Sequence, residues 1–109
     1  MADPFDAAAV QSLLKAGDAR AAVELINQWL EHDPHNVDSL YHLAVAYRYS
    51  DEHNHALETV KQLQALAPKF GRGHQEAGYI HLALRQPEQA LQAFNRAVVL
   101  NDSLLASWR

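Results

Sequence analysis

Seven histidines are the side chains here most able to do chemistry, and their spacing decides which chemistry that could be. His32 and His35 stand three apart, and His53 and His55 two apart, in polar stretches between apolar-periodic segments. A zinc site needs three or four convergent ligands. The chain has no cysteine, and no consistent i, i+4 histidine pair builds such a set. His74 and His81 are seven apart, on one helical face, and read as aromatic-sized core residues with a polar edge. No metal and no cofactor is therefore expected.

The remaining reactive types fare no better. Gly71, Gly73 and Gly78 have neither a preceding strand nor a following Gly-Lys-Ser/Thr, so they are not a phosphate loop. The serines at 12, 39, 50, 103 and 107 lie in helix or turn contexts without a paired base. This stretch of chain is not expected to be an enzyme. What is left is recognition, by tyrosines, arginines and the helices that hold them.

The pattern of those helices is plainest from Val37 to Pro68. Leu40, Leu43, Ala44 and Tyr47 fall at i, i+3, i+4 and i+7, and Ala56, Leu57, Val60, Leu63 and Leu66 repeat the pattern before Pro68 stops it. Ser50 to Asn54 is a tight turn, so the segment is a helical hairpin. A shift of 34 residues brings Pro34 onto Pro68, and superposes Ala22, Ala56 and Ala90. It also superposes Leu13, Tyr47 and His81, then Ile26, Val60 and Phe94, then Leu40, His74 and Trp108. A fixed period of this length marks a solenoid of stacked hairpins.

The chain resembles the tetratricopeptide repeat (TPR) family. The middle unit carries that pattern in Leu40, Leu43-Ala44, Tyr47, Ala56, Val60 and Pro68; the third carries it in Gly78, Ala90, Phe94 and Ala97. The resemblance implies an all-α, right-handed superhelix of three stacked antiparallel hairpins, in one domain over 1–109. The repeats are expected at about 3–36, 37–70 and 71–104, with 105–109 beginning a truncated fourth.

Local signals set the expected helix ends. Pro4 suits the first turn of a helix over 4–16, and Asp18 the N-cap of a second running to His32. Asn36 should cap the helix starting at Val37. A third pair should cover Gly71–Leu84 and Pro87–Leu100, with a softer break at Asn101-Asp102. Trp29 should pack in the core, filling volume that Ala7, Ala8 and Ala9 vacate. Gly78, mid-helix, costs roughly 1 kcal/mol relative to alanine and so should mark a close helix approach.

In such an array the first helix of each unit lines the concave groove. The groove face is expected to carry Asp38, Tyr41, His42, Val45, Arg48 and Tyr49 in the middle unit. In the third it carries Arg72, Gln75, Glu76, Tyr79 and Leu82; in the first, Ala7, Ala8, Gln11, Leu14 and Lys15. Tyrosines suit binding surfaces, and Arg48 and Arg72 offer donors to a carboxylate. A protein or peptide partner is expected. One TPR subgroup grips chaperone C-termini with a clamp of Lys, Asn and Arg. Its places hold Ala7, Gln11, His42, Arg72 and Glu76 here; only Arg72 suits, and Glu76 is expected to repel an anion.

A net charge of −4 argues against a nucleic-acid partner. The start has no basic n-region, and no apolar run approaches membrane-spanning length, so a cytoplasmic protein is expected. Gly73–Tyr79 and Leu104–Arg109 further resemble bacterial proteins in which such repeats precede a sulfotransferase domain. That implies a partner- or substrate-recruiting arm, with no catalysis by this chain itself. Only the stub from Leu104 to Arg109 is left to cover Leu91, Phe94, Val98 and Val99, so self-association through the C-terminal end is also expected.

Overall fold

A computed structural model describes residues 6–106, with side chains over 6–100. Six helices follow one another, and no strand occurs among the described residues. They are α1 (Ala7–Lys15), α2 (Ala19–His32), α3 (Val37–Tyr49), α4 (His53–Leu66), α5 (Gly71–Ala83) and α6 (Pro87–Ala106). Consecutive helices pack on one another, and α3 also touches α1 and α5 across the stack. The architecture is the all-α right-handed superhelix of paired helices expected from the period.

The starts of the first three helices are fixed by side chains that take orphan amides. Asp6 Oδ1 accepts from the Ala8 and Ala9 amides at 3.1 and 3.3 Å. Asp18 accepts from the Ala21 amide, and Asn36 from the Ser39 amide at 2.8 Å. Helix α1 thus begins at Ala7, three residues later than Pro4 suggests, because Asp6 is the cap. Pro4 itself lies outside the described residues.

Each hairpin turn ends its first helix in the same way. Gly17, Asp51 and Arg85, spaced by the 34-residue period, adopt positive φ of 80°, 63° and 60°. The following amides, of Asp18, Glu52 and Gln86, donate to the carbonyls of Leu13, Tyr47 and His81 at 2.8–2.9 Å. This is a Schellman closure, satisfying carbonyls the helix end would leave bare. Only the first turn uses glycine.

Two contiguous clusters form the core. One holds Val10, Ala22, Val23, Ile26, Leu43 and Ala46; Trp29 and Leu30 pack against it. The other holds Leu40, Ala44, Ala56, Val60, Leu63, Ala77 and Ile80. Trp29 is half-buried, in keeping with a packing role. Gly78 is buried, and a Cβ there would come within 2.5 Å of the Phe94 ring, so the glycine lets α6 approach α5. The break expected at Asn101-Asp102 is absent, and α6 runs on to Ala106. Neither residue removes an amide from the helix ladder as a proline would. Residues 105 and 106 therefore continue α6, while Ser107, Trp108 and Arg109 lie outside the described residues.

Candidate functional site

The first helices of the three pairs, α1, α3 and α5, bring together a recess of about 290 Å³. Gln11, Leu14 and Lys15 of α1 line it, with Tyr41, His42, Val45 and Tyr49 of α3 and Arg72 of α5. These residues meet because each helix repeats every 3.6 residues, so positions four and seven or eight apart on α3 stack along one face. Of the groove residues expected on α3 and α5, Tyr41, His42, Val45, Tyr49 and Arg72 thus share one wall. The three from α1 were visible on its groove face and complete it.

The chemistry of this wall is one-sided. Lys15 and Arg72 are exposed cations, neither is in an ion pair among the described residues, and no carboxylate lines the recess. The Arg72 guanidinium lies 4.7 Å from the centre of the Tyr41 ring, which holds it over the groove. Tyr41 is itself set edge-on against Phe70, at 5.7 Å, and against His42, at 5.0 Å. His42 Nδ1–H donates to the Asp38 carbonyl at 2.9 Å, which fixes the orientation of its ring. Leu14, Val45 and the 56%-exposed Tyr49 supply apolar and aromatic surface beside the cations.

The other expected residues do different work. Arg48 is not a free donor for a ligand. Its Nε and Nη2 both donate to the Glu76 carboxylate, the second at 3.2 Å, in a bidentate pair. Its guanidinium lies between two rings, 5.1 Å from the centre of Tyr49 and 5.0 Å from that of Tyr79. Glu76 is 2% exposed, so the anion expected to repel a groove ligand is buried and neutralised by Arg48. Burial pushes the Glu76 carboxyl up and the Arg48 bond opposes it. Burial pulls Arg48 down, but the Glu76 bond and charge outweigh it, so Arg48 stays protonated. Asp38 and Gln75 are exposed but do not line the recess, and Tyr79 instead packs edge-on against Phe94.

His74 and His81 act as polar-edged packing groups, while His32, His35 and His55 are exposed. His74 is 5% exposed; its Nε2–H donates to the Pro68 carbonyl at 2.7 Å, and its Nδ1 accepts from Gln64. His81 Nδ1–H donates to Gln86 Oε1 at 2.7 Å, across the last hairpin turn. Among the described residues no group of three or more metal-ligating side chains converges. No helix of the described chain is long and apolar enough to cross a membrane.

Stacked helix pairs with a concave recess define the class of helical repeat proteins. Within that class, a family model described as tetratricopeptide repeat matches residues 13–75, more than half of the chain. This protein belongs to the tetratricopeptide repeat family. A curated relative, the small glutamine-rich tetratricopeptide repeat-containing protein 2 of Mycosarcoma maydis, is 24% identical over 90 residues. That match covers 83% of this chain but spans only 26% of the relative. Among solved structures, MamA MSR-1 superposes with a TM-score of 0.77 at 23% identity, over 86% of this chain and 54% of its own. The second TPR of Spaghetti (RPAP3), bound to the HSP90 peptide SRMEEVD, gives 0.76 at 20% identity, over 84% of each chain. At these identities the structural likeness speaks for the fold. The resemblance to sulfotransferase-linked proteins rests on the two short motifs, and these relatives are not named for that enzyme.

Proposed function

We propose that this chain is a non-catalytic interaction module, built of three repeats, that takes a peptide segment of a partner protein in the groove of α1, α3 and α5. The single observation behind this is the recess in which two cations in no ion pair among the described residues, Lys15 and Arg72, stand beside Tyr41, Tyr49, Leu14 and Val45 with no carboxylate in its described lining. Such a wall favours a peptide with a carboxylate next to an apolar or aromatic side chain, because the charge is met by donors and the ring by a ring. The groove is open and shallow, which suits an extended segment rather than an enclosed small molecule. That an RPAP3 repeat domain of similar fold is bound to the acidic peptide SRMEEVD supports the same class of ligand. The chaperone clamp itself is not proposed, since Ala7, Gln11 and His42 occupy places where that clamp uses Lys and Asn.

Selection of a random peptide library on the immobilised chain tests this. The enriched peptides are expected to carry Asp, Glu or a free C-terminus beside a hydrophobic residue. Arg72→Ala and Lys15→Ala should each weaken them by about 1–3 kcal/mol, as loss of a charge-assisted bond does. Peptides without acidic enrichment, bound equally well by both variants, would overturn the reading.

A further inference from the structure

The 34-residue register allows a groove between neighbouring pairs to be compared with the groove one period on. In the earlier one Leu40 and Leu43 of α3 are buried, and Leu30 of α2 and Tyr47 of α3 pack against both core clusters. The Tyr47 ring stacks on His55 of α4 at 5.3 Å, which closes that end. The equivalent places between α4, α5 and α6 hold Gln64 for Leu30, His74 for Leu40, Ala77 for Leu43 and His81 for Tyr47. Gln89 stands where His55 stood. Apolar volume is thus removed, and a recess of about 240 Å³ is lined by these residues. Its wall on α6 changes charge as well: Glu58 and Gln62 of α4 become Gln92 and Arg96, so an anion is lost and a cation gained. All four of these positions are exposed, so the two grooves differ in chemistry rather than in cover.

Polar groups in place of packed leucines cost stability unless each is bonded. Those on the floor are. His74 Nε2–H donates to the Pro68 carbonyl, Gln64 Nε2–H donates to His74 Nδ1 at 3.3 Å, and His81 Nδ1–H donates to Gln86. Those on the wall are not: Gln89, Gln92 and Arg96 bond no other described residue through their side chains. No carboxylate stands in the described lining. We infer that this recess is a second binding site, for a small ligand that carries an oxyanion, either a carboxylate or a phosphate ester. Arg96 presents a planar fork of N–H donors that suits two oxygens of such a group. Gln89 and Gln92, three and seven residues before it on the same face of α6, add carboxamide donors beside the fork. The site shares no residue with the peptide groove, so the two stand or fall separately.

Amide and side-chain shifts of the labelled whole chain test this, with inorganic phosphate or acetate added at constant pH and sodium chloride as the ionic-strength blank. Either anion is expected to shift His81, Gln89, Gln92 and Arg96 saturably; saturation by phosphate points to an ester, and by acetate to a carboxylate. Arg96→Gln and Gln92→Glu, which restore the side-chain types of the earlier groove at exposed positions, should each weaken the effect about tenfold or more. Arg72→Ala should leave it unchanged. Saturation by neither anion would overturn the inference. So would shifts that chloride reproduces, or saturation that Arg96→Gln does not alter.

Discussion

Glu76 and Arg48 are 28 residues apart and sit on neighbouring helices, and their fates differ when one is removed. The Glu76 side chain is 3% exposed and the Arg48 side chain 25%, so only the arginine can find water if left alone. Arg48→Met should cost about 3 kcal/mol at neutral pH by stranding a buried carboxylate. Glu76→Gln should cost less than about 2 kcal/mol, since Arg48 keeps its stacking on Tyr49 and Tyr79. The pH dependence separates the two. A carboxyl raised by burial contributes stability that is present below its unfolded pKa and lost as pH rises through its folded one. Arg48→Met removes the opposing charge and raises Glu76 further, so its deficit should shrink as pH falls from about 7 towards about 4. Chemical denaturation at several pH values measures this. The sequence put both residues on the groove face but could not show that they pair, because their meeting depends on how α3 and α5 stack. Gly78 was legible as a close contact, though not that Phe94 fills it. Alanine there gains about 1 kcal/mol of helix propensity but collides with the ring, and a net loss of about 1–2 kcal/mol is expected on thermal unfolding.

At the scale of elements, the hairpin turns carry a cost the sequence hides. The last two Schellman closures hold Asp51 and Arg85 in the left-handed region, where a Cβ costs roughly 1–2 kcal/mol. Arg85 is exposed and in no ion pair among the described residues, so little offsets that strain. Arg85→Gly should therefore raise stability by about 0.5–1 kcal/mol, read as a higher denaturation midpoint with an unchanged slope. Helix periodicity, Asp18, Asn36 and Pro68 made the helices and most of their ends readable. The αL positions Asp51 and Arg85 were not, because aspartate and arginine in a turn do not announce positive φ as glycine does. The end of α6 was misplaced for a related reason. Asn101-Asp102 looks like a break in composition, yet nothing in it stops the backbone ladder.

At the scale of the whole molecule, the superhelix turns three separate helix faces into one wall and leaves that wall cationic within a chain of net charge −4. The face of α3 was legible from its period and its place in the groove from the family resemblance; which of its residues share the recess depended on the stacking of α1 and α5. Asp38 and Gln75 fell outside it, exposed but not lining the recess, and Glu76 is buried against Arg48. The central claim is that a peptide binds at this wall. Backbone amide chemical shifts of the labelled chain, followed while a library-selected acidic peptide is added, test it most directly. The account predicts shifts concentrated at Gln11, Leu14, Lys15, Tyr41, Val45, Tyr49 and Arg72. Shifts confined instead to the opposite groove, around Gln64, Gln89, Gln92 and Arg96, would contradict it.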